Sequence, residues 1–132
     1  MMLLYAHSGI RYLVILAGLA VVGYALVGVV GKRPYDSRMR VLGGIFAMFL
    51  HLNVLLGLGL LFTRPFAPYL IGHISLMVFA AVAAQVVPSV MRRRPMEERT
   101  WMPHLVSGVV SLGLIVAALM AIGAPIFGSR YS

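Results

Sequence analysis

The chain has no cysteine. That removes disulfides, iron–sulfur clusters and thiolate metal sites from consideration. Acid is almost as scarce: three Asp and Glu residues stand against eleven Lys and Arg, for a formal net charge of +8. Charged residues of both signs make up only 11% of the chain, too few to cover the surface of a water-soluble domain. No phosphate-binding glycine loop, hydrolase triad or nucleic-acid motif is present. The positive charge alone would suit a nucleic-acid partner. The basic residues, however, fall in two short runs between apolar stretches rather than over one face, which is the pattern of a membrane protein.

What fills the chain instead is apolar: 61% of its 132 residues are hydrophobic and its mean hydropathy is +0.98. Four apolar spans, at about residues 3–30, 37–62, 68–91 and 101–127, reach the roughly 20 residues that cross a bilayer. They use nearly the whole chain and leave no room for a soluble head, so residues 1–132 read as a single membrane domain. The first span has no lysine or arginine before its core, exceeds the length of a signal-peptide core and lacks a small-residue cleavage site, so it is expected to be retained. It stops at Gly31, followed by Lys32-Arg33-Pro34. Pro65 and Pro68 break the chain between spans two and three, with Pro68 suited to the first turn of span three. Pro88 is expected to kink the last turn of that span. Thr100 is the expected cap of span four, with Pro103 in its first turn.

Charge sets the expected orientation. Lys32, Arg33, Arg38 and Arg40 lie around the first connection and Arg92, Arg93, Arg94 and Arg99 around the third, whereas the second connection and the tail hold one arginine each, Arg64 and Arg130. The positive-inside rule then places connections one and three in the cytoplasm and both termini outside. Short connections make neighbours antiparallel, so the expected fold is an all-α, up-down four-transmembrane-helix bundle. Its many glycines and alanines suit close helix packing in lipid.

The four histidines fall one to a span: His7, His51, His73 and His104. An ionisable ring inside a membrane is costly and marks a candidate site. Measured from the middle of each span at 1.5 Å per residue, His7 lies roughly 13 Å outward, His73 roughly 9 Å outward, His51 near the midplane and His104 roughly 15 Å inward. Two imidazoles at similar depth on different helices can clamp a b-type haem iron from both faces. His7 and His73 match best, and His51 with His73 is the second choice. Spans one and three, if diagonal, would leave a central slot for the porphyrin. His104 has no histidine at its depth, and only Met39 offers a weak second ligand there. Arg11, four residues after His7, shares its face and suits a haem propionate as well as it suits snorkelling to headgroups. Gly18 on the same face is expected to admit a flat ring, as are Gly44 and Gly59 about His51. Met48 and Met77 suit contact with a macrocycle or ordinary core filling. Asn53, Ser75, Gln85, Ser107 and Ser111 are buried-polar candidates, with His51 beside Asn53 able to face a quinone. Ser107 and Ser111 are expected to bond back to their own helix rather than line a quinone pocket. Zinc is less attractive, since the ligands spread over too much depth and no carboxylate lies within a span. Taken singly, each histidine reads more plainly as an interfacial or helix-bonded residue; four on four spans favour a cofactor.

His7-Ser8-Gly9-Ile10-Arg11-Tyr12, the stretch from His51-Leu52-Asn53 through Gly57-Leu58-Gly59 to Phe62, and Gly72-His73-Ile74-Ser75 carry a further signal. They resemble a family of small four-span bacterial proteins, frequent in Bacteroidota and labelled cytochrome B or cytochrome-b-like. That family has an H-S-x-x-R-Y opening, an H-L-x-x-L-x-G-L-x-L-x-F second span, an E-H start to the third and a histidine entering the fourth. The resemblance covers most of the chain. It implies a haem-binding role in a respiratory membrane, with His7, Arg11, His51, His73 and His104 at the matching positions. Gly72 stands where the family has an acidic residue, so any part that carboxylate plays in orienting the imidazole or carrying protons is missing here. The residues leave two leading expectations. One is a haem b protein passing electrons between membrane quinol and a respiratory partner. The other is a cofactor-free accessory subunit of a larger respiratory or photosynthetic complex. A transporter is disfavoured because no acidic residue lies within a span.

Overall fold

The computed structural model describes residues 2–62, 68 and 70–123, with the side chains of 2–5 left aside. Four long helices account for most of it: α1 (Met2–Val30), α2 (Ser37–Leu61), α3 (Leu70–Arg93) and α4 (Met102–Ala121), the last preceded by a single 3-10 turn at Met96–Glu98. All four are long and apolar enough to cross a membrane. No strand occurs among the described residues. The architecture is the all-α four-helix bundle that the spans and short connections dictate.

Each helix buries one seam. On α1 it runs Arg11, Val14, Gly18, Val21, Ala25, Gly28; on α2, Met39, Gly43, Phe46, Leu50, Asn53; on α3, Met77, Ala81, Ala84, Pro88, Met91; on α4, His104, Gly108, Ser111, Ile115, Ala118. The steps alternate between three and four residues. This 3.5-residue period keeps a seam facing its neighbours in a left-handed bundle. The seams mix small and polar residues with a few large ones, Phe46, Leu50, Met39 and Met91 among them, and many further large apolar side chains point outward: Leu16 and Leu55 are 65% exposed and Phe79 62%. Water would not tolerate that exterior, but lipid does, and without a hydrophobic drive between helices the small seam residues let backbones approach.

The helices form a ring in chain order. α1 packs on α2 and α4, α3 packs on α2 and α4, α2 and α4 touch briefly across the middle, and α1 and α3 are diagonal. The end carrying the α1–α2 and α3–α4 connections is the basic end, with Lys32, Arg33, Arg38, Arg92, Arg93 and Arg94 all exposed. His7 and His73 lie toward the opposite, far end.

Several boundaries differ from the sequence expectation. α1 closes with a Schellman arrangement in which the Arg33 amide reaches the Gly28 carbonyl (3.0 Å) and the Lys32 amide the Val29 carbonyl (3.3 Å). The residue in the left-handed region is therefore Lys32 (φ 50), one position after the glycine that would adopt it at least cost. α3 starts at Leu70 rather than Pro68 and runs on to Arg93. Pro88 is buried inside it, its ring against Gly43 of α2. Trp101, not Thr100, occupies the cap of α4, with no side-chain bond to the amides of that helix, and Pro103 sits in the first turn as expected. α4 stops at Ala121, before a turn in which Gly123 takes φ +66. The expected extension of that span to 127 and the Thr63–Ala67 part of the second connection lie outside the described residues.

Candidate functional site

The far end is organised by two histidines that do the same thing on opposite sides of the bundle. His7 of α1 donates through Nδ1 to the Asn53 carbonyl of α2, at 3.0 Å. That carbonyl already serves its own helix, and its second lone pair accepts the imidazole. The ring lies on Gly57, where a Cβ would come within 3.0 Å of His7 Cε1, so only glycine fits there without a shift. The buried Asn53 side chain lies beside the same imidazole, with its Oδ1 unbonded among the described residues. His73 of α3 donates through Nδ1 to the Ala118 carbonyl of α4, at 2.7 Å. The two rings are within electrostatic range of each other.

These bonds fix the tautomers. A carbonyl only accepts, so each Nδ1 must carry the proton and each Nε2 is left as the lone-pair nitrogen. No hydrogen bond reaches either Nε2 among the described residues. Arg11, one turn along from His7, is buried in the bundle at 8% exposure. Its guanidinium donates to the Tyr12 hydroxyl (3.1 Å) and lies 4.9 Å over that ring.

His51 differs from both. It lies on the exterior of the bundle, in a groove between α2 and α3, not on the seam with Asn53. Gln85 donates from Nε2 to Ser89 Oγ (2.7 Å), so its Oε1 is the acceptor for His51 Nε2 (3.1 Å). Here Nε2 carries the proton and Nδ1 is the lone-pair nitrogen. The groove, about 500 Å³, runs from His51 past Gln85, Ser89 and Gly44 to Arg40 and Arg92 at the basic end.

His104 is buried at the basic end, and its Nε2 is bonded to the Tyr35 hydroxyl at 2.8 Å. The Tyr35 ring stacks on the imidazole (centroids 5.7 Å, planes 22° apart) and packs against Trp101 (5.3 Å), which meets Tyr24 edge-on (5.4 Å). Trp101 Nε1 donates to the Arg33 carbonyl (2.8 Å), and its indole covers Gly28. Asp36 caps α2 by accepting from the Arg38 amide (2.9 Å) and also accepts from the Tyr24 hydroxyl. That hydroxyl holds the carboxyl below the usual aspartate range, while burial pushes the Tyr35 phenol upward and keeps it a donor. This aromatic plug ties the first connection to the start of α4. It escapes a search for ligands, and its sequence signal is the coincidence of the only tryptophan with all three acids, Asp36, Glu97 and Glu98, at the same end.

Other expectations need correcting. Gly18 offers no flat slot: Phe46 and Leu112 fill the space, and a Cβ there would meet Leu112 Cδ2 at 2.6 Å. Ser107 bonds across to the Ala83 carbonyl of α3 (2.7 Å) rather than to its own helix. Ser75 is exposed, Gln85 half-buried, and Ser111 fully buried with an Oγ unbonded among the described residues. Met39 and Met77 are core residues, whereas Met48 is exposed on the groove. Gly59 is half-buried, and Gly44 faces open space.

Compared with protein-family models, characterised proteins and solved structures, the chain matches none.

Proposed function

We propose that this chain is a b-type haem membrane protein that carries electrons between membrane quinol and a respiratory partner, with His7 and His73 as the residues that would hold the iron. The observation that carries the reading is the state of the four imidazoles. His51 and His104 each have Nε2 in a hydrogen bond. His7 and His73 alone among the four pair an Nδ1–H anchored on a backbone carbonyl with an Nε2 lone pair unbonded among the described residues. An anchored Nδ1–H is what orients a metal-binding histidine and raises its basicity. The donor set thus fits a haem iron, although Gly18 adds nothing to a cradle.

Bound between these rings, haem b would supply one-electron chemistry. The chain's part is to orient the two imidazoles through α2 and α4, to set Arg11 as a cation for a propionate, and to keep water out with aliphatic walls. His51 Nδ1 is the acceptor a quinol hydroxyl would meet from the lipid side. The family resemblance of the His7–Tyr12 and His51–Phe62 motifs supports the same role. The basic end would face the cytoplasm and both termini the outer side of a bacterial inner membrane, by the excess of Lys and Arg at the first and third connections.

A second reading has its own support. His7 ties α1 to α2, and His73 ties α3 to α4, so the same bonds would also staple a cofactor-free accessory subunit. One preparation separates the two. Purified from haem-replete cells, the protein is expected to show a Soret band and sharp alpha and beta bands on dithionite reduction. A colourless protein would refute the haem reading and leave the accessory subunit.

A further inference from the structure

We propose that the basic end of the α2–α3 groove binds the phosphate headgroup of an anionic phospholipid. Arg40 and Arg92 line this end together with Ser89, over a floor of Gly44 and Pro88, and no aspartate or glutamate is among the lining residues. The two arginines come from helices that run in opposite directions, so the fold, not a run in the sequence, places both on this groove. The Arg40 Nε is buried with no hydrogen-bond partner among the described residues. A buried donor on a charged group costs free energy until an acceptor reaches it. The volume, about 500 Å³, is within the range of small-ligand sites, roughly 300–1,000 Å³.

Lipid is the occupant this geometry favours. The groove opens on the apolar exterior of the bundle, where Met48, Leu52 and Leu55 form its wall beyond Gly44. A ligand there must therefore be anionic at one end and hydrocarbon along the other. Basic pockets between transmembrane helices recognise phosphate headgroups in this way, each arginine near the surface contributing about 1 kcal/mol, or about fivefold in affinity. Ser89 adds a hydroxyl for a phosphate or glycerol oxygen. The His51–Gln85 pair lies at the other end of the groove, so the site does not rest on the haem or quinol reading.

Native mass spectrometry of the full chain in detergent, titrated with phosphatidylglycerol or phosphatidylcholine, tests this. Preferential retention of phosphatidylglycerol is expected, with an apparent affinity about 25-fold weaker in R40Q/R92Q if the two arginines act independently. R93Q/R94Q removes the same charge from exposed positions outside the groove and should stay within about twofold of the parent. Gly44→Leu keeps both arginines and fills the floor, since a Cβ at Gly44 meets nothing within 4 Å; it should also weaken retention while the helix stays folded. Equal retention of the two lipids would overturn the site, as would an equal loss in R93Q/R94Q. Inorganic phosphate binding as tightly as phosphatidylglycerol would show a free-anion site instead. A groove substitution that changed only the oligomeric state would assign the groove to a second copy.

Discussion

Replacing Gly28 by alanine places a methyl group where the Trp101 indole now lies, against Cδ2, Cε2 and Cε3. The indole is rigid and cannot bend away as a flexible chain end would, so the ring must leave α1. Its departure breaks the Nε1 bond to the Arg33 carbonyl, worth about 1 kcal/mol net. It also loosens the contacts with Tyr24 and Tyr35, at roughly 0.5–1.5 kcal/mol each. Against this, alanine improves on glycine inside a helix by about 1 kcal/mol. The balance is a net destabilisation of about 1–3 kcal/mol. Gly23 supplies the control: on the same helix, a Cβ there meets nothing within 4 Å, so Gly23→Ala should gain up to about 1 kcal/mol. Equilibrium unfolding in mixed micelles, followed by circular dichroism, gives the magnitudes. Emission from Trp101, the only tryptophan, reports the displacement directly. In a Trp101→Ala background the cost of Gly28→Ala should vanish. Equal stability of Gly28→Ala and Gly23→Ala, with an unshifted emission maximum, would refute the packing of indole on glycine.

The same plug yields two more tests. Tyr35→Phe leaves the buried Nε2 of His104 without its partner and should cost about 1–3 kcal/mol in thermal unfolding, whereas an unchanged midpoint would exclude the bond. Asp36→Ala removes the cap of α2 and the acceptor of Tyr24, at about 1 kcal/mol near neutral pH. Its folded pKa lies below the ordinary 3.8, so this contribution is present above about 3.8 and disappears as pH falls through the folded value. The parent should therefore lose its advantage over Asp36→Ala on acid titration of stability; a difference that persists well below that range would contradict the assignment.

Helix number and approximate span were legible in the sequence because bilayer thickness dictates long apolar runs and little else satisfies their backbone. Helix rotation was not. Spans that are apolar all round carry no polar face to orient them, so His51, near mid-span, was as plausible inside as outside. The signal lay in small and polar residues at 3.5-residue spacing, such as His104, Gly108 and Ser111, which mark the inner seam of α4. Gly18 misled because a glycine on the correct face can admit a neighbour's side chain as readily as a ligand, and Leu112 and Phe46 come from other helices. The aromatic plug was hidden for a related reason: Tyr35 and His104 lie 69 positions apart, and no local pattern joins them.

In the proposed haem reading His7 and His73 hold the iron, because their Nε2 atoms accept no hydrogen bond among the described residues. The most direct test is the dithionite-reduced minus oxidised optical spectrum of four purified variants, His7→Ala, His51→Ala, His73→Ala and His104→Ala, each shown folded by circular dichroism. Loss or collapse of the sharp alpha band is expected in His7→Ala and His73→Ala, and its retention in the other two. Loss of the band in His51→Ala or His104→Ala, with His7→Ala unchanged, would contradict it.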